Sequence, residues 1–472
     1  MLQYKDIKKL SELKLTFLGK TKKSEFLFEF VDVLKLGKLH SIFSGVKTKG
    51  ISTLLLTRIM IILPFIDKGS VYSFSKSSYN DFKIGKDAFY RLKNNFKVNW
   101  RRFLFSTTVF AINLLNKREN YNENNSITAF VFDDSTISKV GKHIEGVSRV
   151  WNHVIQKSII GYQLLVMGFY NGTSLLPVNF SLHRERGKNK KKVFGLKKSE
   201  YNAQYNKRRA NKSHGANRKK ELDIKKTDSV IEMIKYAVNS GLTAQYVLTD
   251  SWFTSWNLVK TTIDNKMKFI GMFSKVKTLF TYNGKEYTYK EIRNLNKKNI
   301  KRNKKYNLYY IYTVVQWKGE RVVLYHTRKG KRGNWKTILS TDLSLSFSQT
   351  IEVYQIRWSI EVFFKESKQM LNLGKSHSND FDGQIADTTI SLIQYIFLSV
   401  RNSVERYETK GDVYRNTKAD IVEANIHQRL IALLIAIFEA LDMFVEHIDI
   451  DELFTEIINN DESFEKLRRM VA

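Results

Sequence analysis

The chain has 472 residues, with 79 Lys and Arg against 46 Asp and Glu and a formal net charge of +33. That excess favours a polyanionic partner, nucleic acid ahead of an anionic membrane, while 42% hydrophobic and 13% aromatic residues exclude wholesale disorder. The absence of cysteine excludes disulfides and thiolate metal sites and fits a reducing cytoplasm, the expected location.

Residues 1–120 read as a mainly helical N-terminal domain. The first residues lack the apolar core of a signal peptide. The apolar stretch 51–66 is cut by Arg58, and 430–438 is too short, so no membrane span is expected. Within this domain, 70–78 and 86–96 flank a turn at 79–85, a helix-turn-helix in outline. Lys86, Arg91, Lys93, Lys97, Arg101 and Arg102 make the second segment basic. It reads either as a DNA-contacting helix, with Arg91 and Lys93 as candidate contacts, or as a solvated basic helix.

Residues 125–265 predict the first part of an α/β sheet. A β-prone burst at 129–132 stops at Asp133 and Asp134, and a second at 245–249 stops at Asp250, with a helix expected from Trp256. Buried strands of such sheets are apolar throughout, and ligands collect beyond their carboxyl ends. Each aspartate alone has a plainer reading as a turn former or helix cap. Two further strands, 158–170 and 173–183, are joined at Asn171-Gly172, a hairpin signal. The segment 184–226 carries seventeen basic residues against four acidic ones and no apolar period. It reads as a mobile arm on the DNA backbone, through Lys190, Lys191, Lys192, Arg208 and Arg209, or as a merely solvated loop.

Residues 266–348 turn β-rich, with turn signals at 282–285 and 317–320, and predict an inserted antiparallel unit. Residues 349–405 return to the core. Here Tyr354, Arg357, Glu361, Lys365 and Lys368 share one helical stripe, with Ile356, Ile360, Val362, Phe363 and Phe364 as the buried side. A carboxylate flanked by Arg and Lys either holds a metal ion beside gripped phosphates or makes ordinary ion pairs along a helix. Residues 406–472 predict a C-terminal helical region with an apolar helix at 425–446, a possible dimer contact, and an acidic tail. His143, His153 and His183 show no zinc-ligand spacing.

These residues resemble the DDE transposases of bacterial insertion sequences, specifically the insertion-sequence-four family, to which the transposon-five transposase also belongs. Tyr354, Arg357, Glu361 and Lys368 keep every spacing of that family's helix signature. Asp133-Asp134-Ser135 is similar to its first motif, with Ser in place of the usual Thr, and Asp250-Ser-Trp-Phe is similar to its second. The resemblance covers roughly residues 70–400. It implies an RNase H-like catalytic core with an inserted β-unit, preceded by a helical DNA-binding domain and followed by C-terminal helices. It also implies a transposase that binds terminal inverted repeats in double-stranded DNA, cuts and joins the element's ends, and works as a homodimer. Asp133, Asp250 and Glu361 would hold two Mg²⁺ or Mn²⁺ ions. Asp133 is preferred to Asp134 because the first of the pair fills that role in the family, and strand alternation points Asp134 to the opposite side. Tyr354, Arg357, Lys365 and Lys368 would contact phosphates. Trp335 falls near a Trp of the β-insertion that stacks on a flipped base; as the plainer reading it packs in the β-core, and Trp317 is the weaker candidate.

Overall fold

The structure, a computed structural model, describes residues 49–118, 126–405 and 408–419 apart from 67, 78, 81 and 82, with a few positions between 34 and 46. The expected helix at 425–446, the acidic tail and most of the first fifty residues lie outside the described residues. The chain divides into two compact units, one of residues 1–92 with 401–472 and one of residues 93–400.

In the first unit, α1 (Thr53–Ile62) runs into a 3₁₀ turn at Leu63–Ile66. This apolar stretch is buried at Leu56, Ile59, Met60, Ile61, Phe65 and Ile66, which makes it part of a core. The helix-turn-helix outline is occupied by α2 (Val71–Ser75), capped by Ser70, and α3 (Lys86–Lys93). Between them the Asn80 amide donates to the carbonyls of Ser75 and Ile84 and accepts from the Ile84 N–H, fixing the turn. Phe74 and Phe89 meet edge-on at 5.9 Å. No helix among the described residues is long and apolar enough to cross a membrane.

The second unit is built on a mixed α/β sheet of twelve strands. Helix α4 (Trp100–Arg118) leads to β1 (Ala129–Ser138), β2 (Ser148–Asn152), β3 (Lys157–Tyr170) and β4 (Leu175–His183). Short helices α5 (Lys198–Asn202) and α6 (His214–Lys220) precede α7 (Lys226–Asn239), β5 (Tyr246–Thr249), α8 (Trp256–Asp264) and β6 (Lys268–Met272). Then come β7 (Leu279–Tyr282), β8 (Lys285–Thr288), α9 (Tyr289–Leu295), β9 (Lys301–Asn303), β10 (Leu308–Trp317), β11 (Glu320–Lys329) and β12 (Lys336–Ser340). Helices α10 (Phe347–Gln355), α11 (Trp358–Met370) and α12 (Phe381–Glu405) follow.

Strand order is β2-β3-β1-β5-β6-β12-β11-β10-β7-β8, with β4 on β3 and β9 on β10. Strands β1, β5 and β6 are parallel neighbours, while β3 is antiparallel to β1. All nine residues of β4 are buried because α4 and α7 pack on it, so no alternation survives in its sequence. Gly161 is required where β3 meets β1, since a Cβ there would lie 2.0 Å from the Ile137 carbonyl oxygen. Both predicted hairpin turns have two residues at positive φ, Asn283-Gly284 and Lys318-Gly319, as two-residue turns demand.

Four expectations need correction. The β-rich segment is antiparallel as expected, but it is continuous with the rest of the sheet, because β12 pairs with β6. Asp133 does not end its strand, because β1 continues five residues beyond it. The stripe from Tyr354 to Lys368 is not one helix: α10 and α11 are separated at Ile356-Arg357, where the backbone tightens to three-residue hydrogen bonds. Val362 is exposed, not part of the buried side.

The segment 184–226 departs furthest from expectation, for it is folded onto the sheet. Arg209 is almost fully buried and pairs with Glu145 at 2.6 Å, Asp382 at 3.0 Å and Asp380 at 3.2 Å. Lys207 binds Asp380 and Asp382, and Lys219 binds Glu145. Burial alone would raise the Glu145 carboxyl, but hydrogen bonds from Arg209 and Lys219 hold it at about 2. Arg218 is buried as well, donating to the Phe180 carbonyl and pairing with Glu221. A basic run without apolar period is therefore held by pairing with carboxylates from distant parts of the chain.

Candidate active site

Strand β1 is apolar and wholly buried over Ala129, Phe130, Val131 and Phe132, then presents two carboxylates in succession. Its parallel pairing with β5 sets Val131 opposite Leu248. Extending that register by two residues brings Asp133 level with Asp250, immediately beyond the end of β5. The acids separated by more than a hundred residues thus become neighbours on adjacent strands.

Electrostatics agree with this proximity. Burial pushes the Asp133 carboxyl up to about 7; the Asp134 N–H opposes the rise, and the charges of Asp250 and Asp134 add to it. Asp250 is raised as well, chiefly by burial, against hydrogen bonds from the N–H groups of Phe253 and Trp252. Those bonds form a turn at the strand's end, so Asp250 also performs the turn-forming role of the plainer reading.

Helix α11 packs on β1 and supplies Glu361. The Arg357 guanidinium lies 2.5 Å from Glu361 and 3.6 Å from Asp133, so it bridges the helix acid to the strand acid. Lys368, two turns on, donates to the Ser135 hydroxyl at 2.7 Å and the Thr136 carbonyl at 3.0 Å, fixing α11 against β1. Tyr354 is mostly buried, which pushes its phenol up to about 12, and its ring lies 5.9 Å from the Arg357 guanidinium. Lys365 is exposed on α11. Asp134 accepts from Lys226 at 2.6 Å, a residue whose part the sequence did not disclose, and the Asp134 charge adds to the rise of both Asp133 and Asp250.

Residues 108–281 match the family model described as DDE superfamily endonuclease. The matched span contains Asp133, Asp250 and all strands from β1 to β6, and it ends before Glu361. The match supports a DDE transposase-type nuclease. No curated protein matches the chain.

The remaining predicted contacts scatter. Lys190, Lys191, Lys192 and Arg208 are exposed, as is Arg91 on α3. Arg209 has its donors committed to the buried carboxylates described above and does not face solvent. Lys93 is also buried and pairs with Asp387 at 2.8 Å. Trp335 is half-buried, with the Arg328 and Arg293 guanidiniums 4.6 and 5.6 Å from its ring centroid. Trp317 packs inside an aromatic cluster with Trp256, Phe273 and Phe280. Among indoles the sequence left aside, Trp252 is 64% exposed and lies two residues beyond Asp250. Its signal was its position: a large apolar side chain in the loop directly following Asp250.

Proposed function

We propose that this chain is a DDE transposase of the insertion-sequence-four type, with Asp133, Asp250 and Glu361 as its catalytic carboxylates. The observation that carries the reading is the shared level of Asp133 and Asp250 on parallel strands, with Arg357 linking that pair to Glu361. The run of antiparallel strands continued by parallel ones supports an RNase H-like core.

The donor set suits a hard divalent cation, since it is all carboxylate oxygen. Two of the acids are neighbours whose charges oppose one another, so a cation between them relieves the repulsion. Among the described residues no three ligating side chains already stand close enough to hold an ion. Arg357 sits between the acids instead, and its guanidinium suits a DNA phosphate as well as it suits Glu361. In this reading Asp133, Asp250 and Glu361 hold two Mg²⁺ or Mn²⁺ ions, which when bound activate water or a DNA 3′-hydroxyl for in-line displacement at phosphorus. Arg357 moves to phosphate on DNA binding, Lys368 keeps α11 in place, and Lys365 faces the backbone. The helices at 71–93 would read the terminal inverted repeats, and two subunits would hold the two ends.

The test uses duplex DNA carrying the element's own flanking repeats. Asp250→Asn and Glu361→Gln should each retain DNA binding while cleavage with Mg²⁺ falls by more than about a hundredfold. Unchanged cleavage in both would remove the assignment. Cutting without joining would leave a nuclease, and binding without cutting by the unaltered chain would leave a decayed transposase.

A further inference from the structure

Strand β1 carries a second carboxylate directly after Asp133. The Asp134 charge reaches both strand acids, adding to the rise of Asp133 and of Asp250. A hard divalent cation surrounds itself with oxygen ligands and takes any free carboxylate within reach. An unpaired Asp134 would therefore compete with Asp133 from one residue further along the strand. Asp134 is not unpaired. The Lys226 ammonium donates to its carboxylate at 2.6 Å, and each of the two side chains is only 20% exposed. Charges covered to that degree are screened less than a surface pair. The same ammonium stands 5.6 Å from the centroid of the Trp252 ring, within cation–π reach, so it has little freedom to swing away. The Trp252 N–H in turn holds the Asp250 carboxylate at 2.9 Å. One ammonium thus touches the residue after Asp133 and the residue two beyond Asp250.

Local stability does not account for a lysine at this place. Lys226 is the first residue of α7, a helix of fourteen residues, and the macrodipole disfavours a cation at that end. The helix itself is firmly seated, since it buries Val230, Met233, Ile234 and Ala237 and packs on β3, β4 and α8. Lys226 is therefore delivered to Asp134 from a rigid base. We propose that Lys226 is a positioning residue that withholds Asp134 from the divalent cations, so that Asp133 and Asp250 alone supply the ligands from the strands. The proposal rests on the reading of Asp133, Asp250 and Glu361 as carboxylates that hold metal, and it says why the second aspartate of the pair is not one of them. Without Lys226, charge and geometry pull in opposite directions. The site gains one uncompensated negative charge and attracts a cation more strongly, while Asp134 is free to hold that cation away from its working seat.

The experiment measures Mn²⁺ binding to the full chain without DNA, by electron paramagnetic resonance of the free ion, beside cleavage kinetics on duplex DNA carrying the element's flanking repeats. Lys226→Met should bind Mn²⁺ more tightly than the parent, on the order of tenfold for one added negative charge close to the ion. Its kcat should nevertheless fall at least about tenfold, because the reacting groups are then misaligned. Its KM for DNA should hardly move. Asp134→Asn should bind Mn²⁺ more weakly than the parent, since the Lys226 charge is left bare beside the acids. Lys226→Arg keeps the pair and should follow the parent in both readouts. The double variant, Lys226→Met with Asp134→Asn, removes both partners and should recover the parent's affinity and most of its kcat. A merely structural part for Lys226 makes different demands: weaker Mn²⁺ binding in Lys226→Met, and a double variant no better than either single one. Either result overturns the proposal, and so does an Asp134→Asn protein that binds Mn²⁺ as tightly as the parent. Asp134→Asn is nearly isosteric, so its arm decides even where Lys226→Met does not fold, and melting curves in EDTA check every variant. A parent that binds no Mn²⁺, or an Asp250→Asn protein that binds it as tightly as the parent, would remove the metal site itself and the part of Lys226 with it.

Discussion

Arg357 is the residue on which the site turns, because among the described residues it alone pairs with both the strand acid and the helix acid, at 3.6 and 2.5 Å. On the proposed reading its charge stands where a bound cation would act, so metal and guanidinium would compete for the same carboxylates. Replacing it by Gln leaves Asp133 and Glu361 uncompensated, which destabilises the protein without metal, and it clears a seat for the ion. Ligand that binds only the folded state stabilises by RT ln(1 + [L]/Kd). Arg357→Gln should therefore melt lower than the parent in EDTA and gain more than the parent on adding Mg²⁺. Equal Mg²⁺-induced shifts in the two proteins would contradict the competition. At this scale the sequence was informative about chemistry and silent about partners. Helical spacing put Arg357 one turn from Glu361, where the two side chains pair. Nothing local to Asp134 announced that Lys226, 92 residues on, would neutralise it. Nor did spacing announce that Lys368 would bond to Ser135 and the Thr136 carbonyl, since that contact exists only after α11 packs on β1.

Among elements, those with turn chemistry were legible, and those held by long-range charge were not. The hairpins at 283–284 and 318–319 and the strand pair around Asn171-Gly172 stand where turn residues predicted them. Strand β2 and helix α9, both too short to display a period, were missed, and so was α7, whose fourteen residues follow directly on the basic segment. The segment 184–226 was misread because its cations were judged without their partners, Glu145, Asp380 and Asp382, which come from both sides of it in the sequence. This difference is measurable. Arg209→Ala leaves buried carboxylates without a counter-charge and should cost about 3–5 kcal/mol of stability. Arg208→Ala, at the exposed neighbouring position, should change stability by no more than about 0.5 kcal/mol. Denaturant titration of the two variants decides the matter, and similar midpoints would mean that the segment is as loosely held as its composition alone implied.

Over the whole molecule, buried histidines make stability fall on the acid side. Burial pushes His183 down to about 4, and burial with the nearby Arg293 charge pushes His326 down to about 3. An unfolded histidine titrates near 6.5. Between that value and the folded one, the unfolded chain takes up a proton that the folded chain refuses, so stability falls as pH falls, by up to about 1.4 kcal/mol per unit for each histidine. Asp133 acts in the opposite sense over part of the same window, because its raised carboxyl favours the folded state as it protonates below about 7. The acid slope of the parent alone is thus a mixture of the two. A difference isolates one group: His326, buried on β11 and bonded to the Thr337 hydroxyl at 2.9 Å, contributes only in the parent. His326→Gln should be less stable than the parent at pH 7.5, where the packed imidazole is neutral in both states. The gap should narrow at pH 5.5 and again at 4.5, as the parent alone loses its proton-linked stability. Urea titrations at the three pH values test this, and a gap independent of pH would show that His326 does not resist protonation in the folded protein.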